Sequence, residues 1–590
     1  MKNWIILLLI FHSSWAMAQK YWVGTVDSNW NNAANWSPSA PNPNEDVVIY
    51  PGNHTPILPT NVNLGNLHLD WGSSINLNGK TATVWMLTST GATIFSNGGK
   101  IDAVRTGAYQ NNTFKGAFTL KINRDGTNNY LGAQLGANTY EGDFTLECHT
   151  GDWTTYGISN QYGDTFWGTT VIKNIGSGWL MVATNPSSTA TFKNNVTLYN
   201  AHSYEGKIQV GAYGGKIQCE KPMFIKDETV SWGSYVTIAE GTFQDDVSID
   251  AKVGIIGIGY QNITAFKKQI NITNRNGCVV EFGSSTGQVV FEKNVSFSTA
   301  LTTPMTRGQL KFQKCTFEGD ASTANNPILL QVDNIPGSST PTTYIILGDQ
   351  ITFNRPAKIR ADYIYYKNCY FGYDVEMERT GSSNQLSGGY AGGFCHGGST
   401  FMKKAAFINT YGDNWILQGQ EKDIFKDDVT FFQQSHPWGV LRLSYADNTV
   451  YEGNVTVTIP TGASNGVSWG ESGGTTQLVS GKTLTVNSLG NGWISIANFN
   501  QIGSSTRHAL NVLGSSLYIN NSSFSAPLIA ECSRLFVANS TFNQPSFTKV
   551  GNGIDVSNGG NTFKRKVFIK NASSTGQIQF AEQNNTIVDP

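Results

Sequence analysis

Thr113-Phe114-Lys115-Gly116-Ala117-Phe118-Thr119-Leu120 decides the fold, because the same grammar returns as Thr139-Tyr140-Glu141-Gly142-Asp143-Phe144-Thr145-Leu146. It returns again as Thr165-Phe166-Trp167-Gly168-Thr169-Thr170-Val171-Ile172 and as Thr191-Phe192-Lys193-Asn194-Asn195-Val196-Thr197-Leu198. The leading aromatics Phe114, Tyr140, Phe166 and Phe192 are evenly spaced. Further copies start at Phe243, Phe266, Phe291, Phe425, Tyr451 and Phe563. A fixed step of about 20–50 residues means stacked units that bury one another's apolar faces. In each copy an aromatic leads and polar or Gly residues follow. An alternation such as Val247-Ser248-Ile249 or Val455-Thr456-Val457 then closes the copy. Period two with β-branched and aromatic residues reads as a half-buried strand, and the polar pair before it as a tight bend. No helical period is sustained after Ala18.

Half a repeat later a second strand is expected, often begun by Trp. Trp153 follows Tyr140, Trp179 follows Phe166 and Trp438 follows Phe425 at one and the same spacing. Trp415 stands one position further from Phe401. Two or three short strands per turn of about 25 residues specify an all-β chain, a parallel β-helix (β-solenoid). Right-handed winding is the default for parallel crossovers. Like residues then stack into ladders, one of Phe/Tyr and one rich in Trp. About 19 coils at ~4.8 Å each would make a rod of about 90 Å.

Composition agrees. A chain of 590 residues is too long for one globular core, whereas a solenoid core grows along one axis. Charged residues are 14%, which suits strand positions that face similar side chains above and below. The net charge of -1 points to no nucleic-acid or anionic-membrane partner. The seven cysteines (148, 219, 278, 315, 369, 395 and 532) are widely spaced and read mostly as buried thiols in the stack.

Residues 1–18 read as a signal peptide. Lys2 is the basic end, Ile5 to Phe11 the apolar run, and Ala16-Met17-Ala18 the cleavage site. The expected localisation is secreted or cell-surface, the mature chain starts at Gln19, and no later stretch is apolar enough for a membrane span. Residues 19–105 read as an N-terminal capping region and 106–590 as the β-helix repeat domain. Trp22, Trp30 and Trp36 could form a sugar-stacking platform. The stronger reading is a plug, since a terminal unit must hide its sheet edge.

Tyr21-Trp22-Val23-Gly24, then Asn29-Trp30, then Asn35-Trp36-Ser37, a Pro-rich link through Pro41 and Pro43, and Asp46-Val47-Val48-Ile49 resemble the opening of large secreted surface proteins of Bacteroidetes-type bacteria. The resemblance covers roughly residues 20–100. It implies an adhesin or matrix component. Such proteins often carry a C-terminal sorting domain, and none is recognised in the sequence ending Ile587-Val588-Asp589-Pro590.

The period breaks in the middle. The step from Phe317 to Phe353 is longer than the regular one, and that from Phe353 to Phe401 is longer still. The loop Asp333–Pro341 lies in the first gap, where an insertion of about ten residues is expected. The second gap reads as two equal coils with a poorly matching start near Asp374. Insertions over a repetitive wall make a concavity, so a ligand site is expected between Pro336 and His396. The ligand-binding candidates are Tyr363, Tyr365, Tyr366, Tyr370, Tyr373, Tyr390 and His396. Tyrosine offers an apolar ring with a hydroxyl tip, suited to an extracellular glycan or a cell-surface protein. The alternative, a carbohydrate-active β-helix enzyme (polysaccharide lyase or glycoside hydrolase), needs converging carboxylates. Asp245-Asp246 and Asp427-Asp428 occupy a bend where sister copies carry Asn194-Asn195 or Gly453-Asn454, so they read as solvated bends. No catalytic residue is assigned. No metal-ligand spacing and no cofactor motif is present, since Gly79-Lys80-Thr81 and Gly481-Lys482-Thr483 lack the earlier Gly of a phosphate loop.

Overall fold

The computed structural model describes residues 19–123, 136–151, 154–202, 206–229, 233–252, 254–274, 278–301, 308–332, 343–380, 395–410, 414–434, 439–446, 448–462, 466–488, 492–503, 510–544, 555–570 and 587–588. Residues 1–18, read above as a signal peptide, Trp153, Trp438, the Asp333–Pro341 loop and Tyr390 lie outside the described residues. The chain is a parallel β-helix whose described helical content is two single 3-10 turns, Ala33–Asn35 and Ala321–Thr323. No helix among the described residues is long and apolar enough to cross a membrane. The chain divides into two compact units, the first running essentially to Thr273 and the second from Asn274.

In the first unit a regular coil has three short strands, for example Thr165–Phe166, Thr170–Asn174 and Trp179–Val182. Each pairs in parallel, in register, with its equivalents one coil away. The first face carries the Phe/Tyr ladder. Phe114, Tyr140, Phe166 and Phe192 are buried, with ring centroids 4.7, 4.8 and 4.8 Å apart. That is the strand spacing itself, since parallel registration sets each ring over the last. Cys219 replaces a ring between Phe192 and Phe243. On the second face Leu120, Leu146, Ile172, Leu198, Ile225 and Ile249 stack inward. Outward, charges alternate in sign down the column Asp102, Lys121, Glu147, Lys173, with ion pairs at 3.3 Å (Lys121–Asp102) and 3.6 Å (Lys173–Glu147). Stacked charges are thus tolerated by alternation.

At the start of this unit Lys20–Trp22 is flanked by antiparallel Trp36–Ser37 on one side and parallel Val47–Ile49 on the other. Trp22, Trp30 and Trp36 are buried and pack edge to face, Trp36 lying 5.0 Å from Trp22 and 4.7 Å from Trp30. The indole N–H groups of Trp22 and Trp36 donate to His54 O and Trp30 O. The three rings fill this end and offer no sugar platform. Here coils are also shorter. Thr81–Thr90 and Gly99–Gln110 are single long strands, and Ile94 pairs with Phe114 across a smaller step than separates Phe114 from Tyr140.

The second unit continues the grammar, with the ladder Phe291, Phe317, Phe353, Phe371, Phe401, Phe425 and Tyr451 at centroid spacings between 4.4 and 5.1 Å. Phe317 pairs directly with Phe353, so the long step between them is one coil, enlarged by the turn at Ala321–Thr323 and by the segment holding the Asp333–Pro341 loop. The next gap does not divide into the expected equal halves. Cys369-Tyr370-Phe371 pairs with Ile351–Phe353, making a short coil from Phe353 to Phe371 and a long one from Phe371 to Phe401. The later coils shorten again. Leu510–Asn520 runs across two faces, and the coil from Phe524 to Phe542 is as short as that from Phe353 to Phe371.

Among the described residues no Trp-rich ladder forms. Trp179 is opposite Thr155 and Lys207, and Trp415 is opposite Leu441. Phase explains it. Side chains in a strand alternate sides, so a single position decides which way a ring points. Trp179 faces outward, whereas Trp415, one position further from its leading aromatic, is fully buried. All seven cysteines are buried free thiols. Burial pushes the Cys148 thiol up to about 11.

A buried polar ladder accompanies the rings in several runs of coils, two positions before the aromatic, whereas Ala190, Val289 and Ile351 take that place before Phe192, Phe291 and Phe353. The Asn138 side-chain carbonyl accepts from Asn112 N at 2.9 Å, and Asp164 Oδ1 accepts from Asn138 N at 2.7 Å. In the second unit Cys369 N donates to Ser399 Oγ and Ser399 N to Asp423 Oδ1, and later Ser522 N donates to Ser540 Oγ and Ser540 N to Asn561 Oδ1. Each side chain satisfies a backbone donor of the coil before it, which a buried corner requires.

Candidate functional site

The third face of the second unit is built from Val279–Phe282, Gly308–Phe312, Thr343–Leu347 and Tyr363–Tyr366. Its inward residues Val280, Leu310, Ile345 and Ile364 are buried in register. The outward column between them reads Glu281, Lys311, Ile346, Tyr365. A groove of about 330 Å³ lies over this column and is continued by Asp349 and Lys367. Lys311 Nζ is 2.8 Å from Glu281 Oε1 and Lys367 Nζ 3.2 Å from Asp349 Oδ1, while Asn368 Nδ2 donates to Asp349 at 2.8 Å. The groove therefore combines an aromatic ring, an aliphatic floor at Ile346, and two lysine–carboxylate pairs that present both donors and acceptors.

Of the six expected residues that are described, Tyr365 alone lines this groove. Tyr363 and Tyr366 are core, which corrects their assignment to ligand binding. Tyr363 stacks on Tyr344 at 5.0 Å and lies under the Arg379 guanidinium. Tyr366 is fully buried, donating from its hydroxyl to Asp423 Oδ2 at 2.7 Å. Tyr370 is exposed, but on the first face, as the outward middle residue of Cys369–Phe371, and Tyr373 is half-buried at the bend that follows. His396 is half-buried with Nδ1 3.8 Å from Glu421 Oε1. Glu281, Lys311, Asp349 and Lys367 were missed. Lys367 had a signal, being two positions beyond Tyr365 and so on the same side of the strand. Glu281 and Lys311 had none, since their alignment with Tyr365 depends on unequal coil lengths.

A second groove in this unit, about 510 Å³, runs along the outer second face past Lys358, Glu376, Ala406 and Thr430, with Asp374 and Asp428 at the bend. Three carboxylates thus border one depression. Each has another partner. Asp374 Oδ1 accepts from Lys404 N at 3.1 Å, Asp428 Oδ1 from Asn454 N at 2.8 Å, and Glu376 is 3.4 Å from Lys358 Nζ. The same bend position in the first unit behaves alike, Asp143 Oδ1 accepting from Thr169 N and Asp246 Oδ1 from Gln269 N. These aspartates do more than face solvent, for they hold the bend of the next coil. Asp245 pairs with Lys268 at 2.7 Å. Among the described residues no group of three His, Cys, Asp or Glu side chains is placed to hold a metal ion.

Comparison with protein-family models, with curated proteins and with solved structures gives no match.

Proposed function

We propose that this chain is a secreted or cell-surface β-solenoid of the adhesive or structural kind, with the Tyr365 groove as its contact for an extracellular glycan or a cell-surface protein. The observation that carries this reading is the outward column Glu281–Lys311–Ile346–Tyr365, where the ring and the two ion pairs converge on one concavity beside the period break. A tyrosine ring stacks on the apolar face of a sugar, and lysine and carboxylate groups bond its hydroxyls. The basic, apolar and small-residue pattern of residues 1–18 supports the same placement outside the cell. The test is binding of the parent and of a Tyr365→Ala, Lys367→Met variant to a glycan array and to whole cells. Loss of binding in a folded variant supports the proposal; undiminished binding removes the groove.

A second reading, a carbohydrate-active enzyme, rests on Asp374, Glu376 and Asp428 bordering the larger groove. Their backbone and lysine partners rank it below binding, because a general acid or base must have its oxygen free to reach substrate. Release of reducing ends or unsaturated sugars from polysaccharides, abolished by Glu376→Gln, would reverse the ranking.

A further inference from the structure

We infer that the third face of the first unit holds a separate site for an acidic oligosaccharide, one bearing uronate carboxylates. On this face the outward column is Trp179, Lys207, Tyr235, Ile255. The Lys207 ammonium lies 5.2 Å from the Trp179 ring centroid and 5.7 Å from that of Tyr235, and the two rings meet edge to face at 6.2 Å. Among the described residues Lys207 has no carboxylate partner, and its ammonium is flanked by the two rings. Lys100, Lys121, Lys173, Lys193, Lys216 and Lys226 of the same unit are each paired with a carboxylate; Lys115, like Lys207, is not, but it lies over the single ring of Phe95, whereas Lys207 is set between two. An ammonium held by rings keeps its full charge for a ligand and is already oriented, so less freedom is lost on binding.

Tyr235 is shared with a groove of about 310 Å³ beside the cation, lined also by Gln209, Ile255, Tyr260 and Gln261 and, among the described residues, by no charged one. Gln209 Nε2 donates to the Tyr235 hydroxyl at 3.1 Å, and Gln261 Nε2 to Ala212 O at 3.0 Å, which fixes both amides. Tyr260 lies over Gly257. A Cβ at 257 would collide with Cε2 of that ring, so the absence of a side chain there seats the ring against the sheet. Two tyrosine rings, fixed amides and an aliphatic floor suit the alternating apolar and hydroxyl faces of a sugar chain. The single cation at the edge selects a carboxylate on that chain. A neutral glycan would leave Lys207 unanswered, and an acidic peptide would not use the rings and amides together.

The test is calorimetric titration of the full chain with tetrasaccharides of galacturonate, mannuronate and guluronate, with cellotetraose and tetraglutamate as controls. At least one uronate tetrasaccharide binds, with affinity that falls as salt is raised. Lys207→Met keeps the stem and loses the charge, and lowers that affinity at least tenfold. Gly257→Ala, which displaces the Tyr260 ring without touching charge, lowers it severalfold. Tyr365→Ala leaves it unchanged, so failure of this site and of the Tyr365 groove are separable. Circular dichroism confirms that each variant is folded. The inference is overturned if none of the three uronates binds, if Lys207→Met binds as the parent does, or if either control binds as tightly.

Discussion

The third face of the first unit and the third face of the second are the same piece of architecture with different outer surfaces. Inward, Leu180, Ile208, Val236 and Ile256 in one correspond to Val280, Leu310, Ile345 and Ile364 in the other, all buried aliphatics. Outward, Trp179, Lys207, Tyr235 and Ile255 contrast with Glu281, Lys311, Ile346 and Tyr365. An inward residue must match the volume of its equivalents above and below, since interiors are close-packed. An outward residue meets solvent and one neighbour on each side, so chemistry can change there at small cost. Core packing and outer-surface chemistry are therefore read from alternate residues of one strand.

That contrast is broken most sharply by removing a ladder ring. Phe166 is fully buried and stacked at 4.8 Å on both sides. Phe166→Ala should cost about 3–5 kcal/mol, the range for a large buried aromatic, measured by urea denaturation. A cost under about 1 kcal/mol would mean that the column is not a packed interior.

Next in size is the buried polar ladder, where both units share one liability. Burial pushes the Asp164 and Asp423 carboxyls up to about 6, against an ordinary 3.8. The unfolded chain releases these protons near 3.8 and the folded chain holds them to about 6. Their contribution to stability is thus full below the unfolded value and lost as pH rises through the folded one, by up to about 3 kcal/mol for each site. Asn112 and Asn138 already occupy the equivalent position, and Ser159 Oγ, now donating to Asp164 Oδ2, can rotate to accept. Asp164→Asn should therefore be more stable than the parent at about pH 7, with the difference shrinking toward about pH 4. Thermal melts of both across that range decide it; a constant difference would show that Asp164 does not titrate in this window.

At the bend the expected effect is smaller and depends on shape. Asp428→Asn keeps the acceptor for Asn454 N and should be neutral, as Asn454 itself does the same for Thr483 N at 3.1 Å. Asp428→Ala removes the acceptor and should cost about 1 kcal/mol, again by denaturation. Equal stability of the two variants would return the bend to mere solvation.

Smallest for the fold is Tyr365→Ala, expected within about 0.5 kcal/mol of the parent yet poor in ligand binding. A large loss of stability would move Tyr365 from the surface set to the core set and end the comparison between the two faces.

The repeat, the strands and the Phe/Tyr ladder were legible in the sequence because each is local. An aromatic, a polar bend and a period-two alternation specify one strand, bend and strand wherever they occur. The inward burial of Phe114, Tyr140, Phe166 and Phe192 follows from that pattern repeated at one fixed step, which keeps the same parity from coil to coil. The buried polar ladder was also written there, as Asn112-Thr113-Phe114, Asp164-Thr165-Phe166 and Ser540-Thr541-Phe542, but in isolation an Asn or Ser before a strand looks like a turn residue. Only tertiary structure decided how coils of unequal length align. Phe371 rather than a residue near Asp374 continues the ladder, because registration is chosen by stacking across coils while the connecting arcs absorb the differences in length. It also decided which aromatics face out: a single position of phase separates outward Trp179 from buried Trp415, and Tyr365 from Tyr366. A side of a strand is a parity, and parity is fixed by the neighbouring coil rather than by the residue itself.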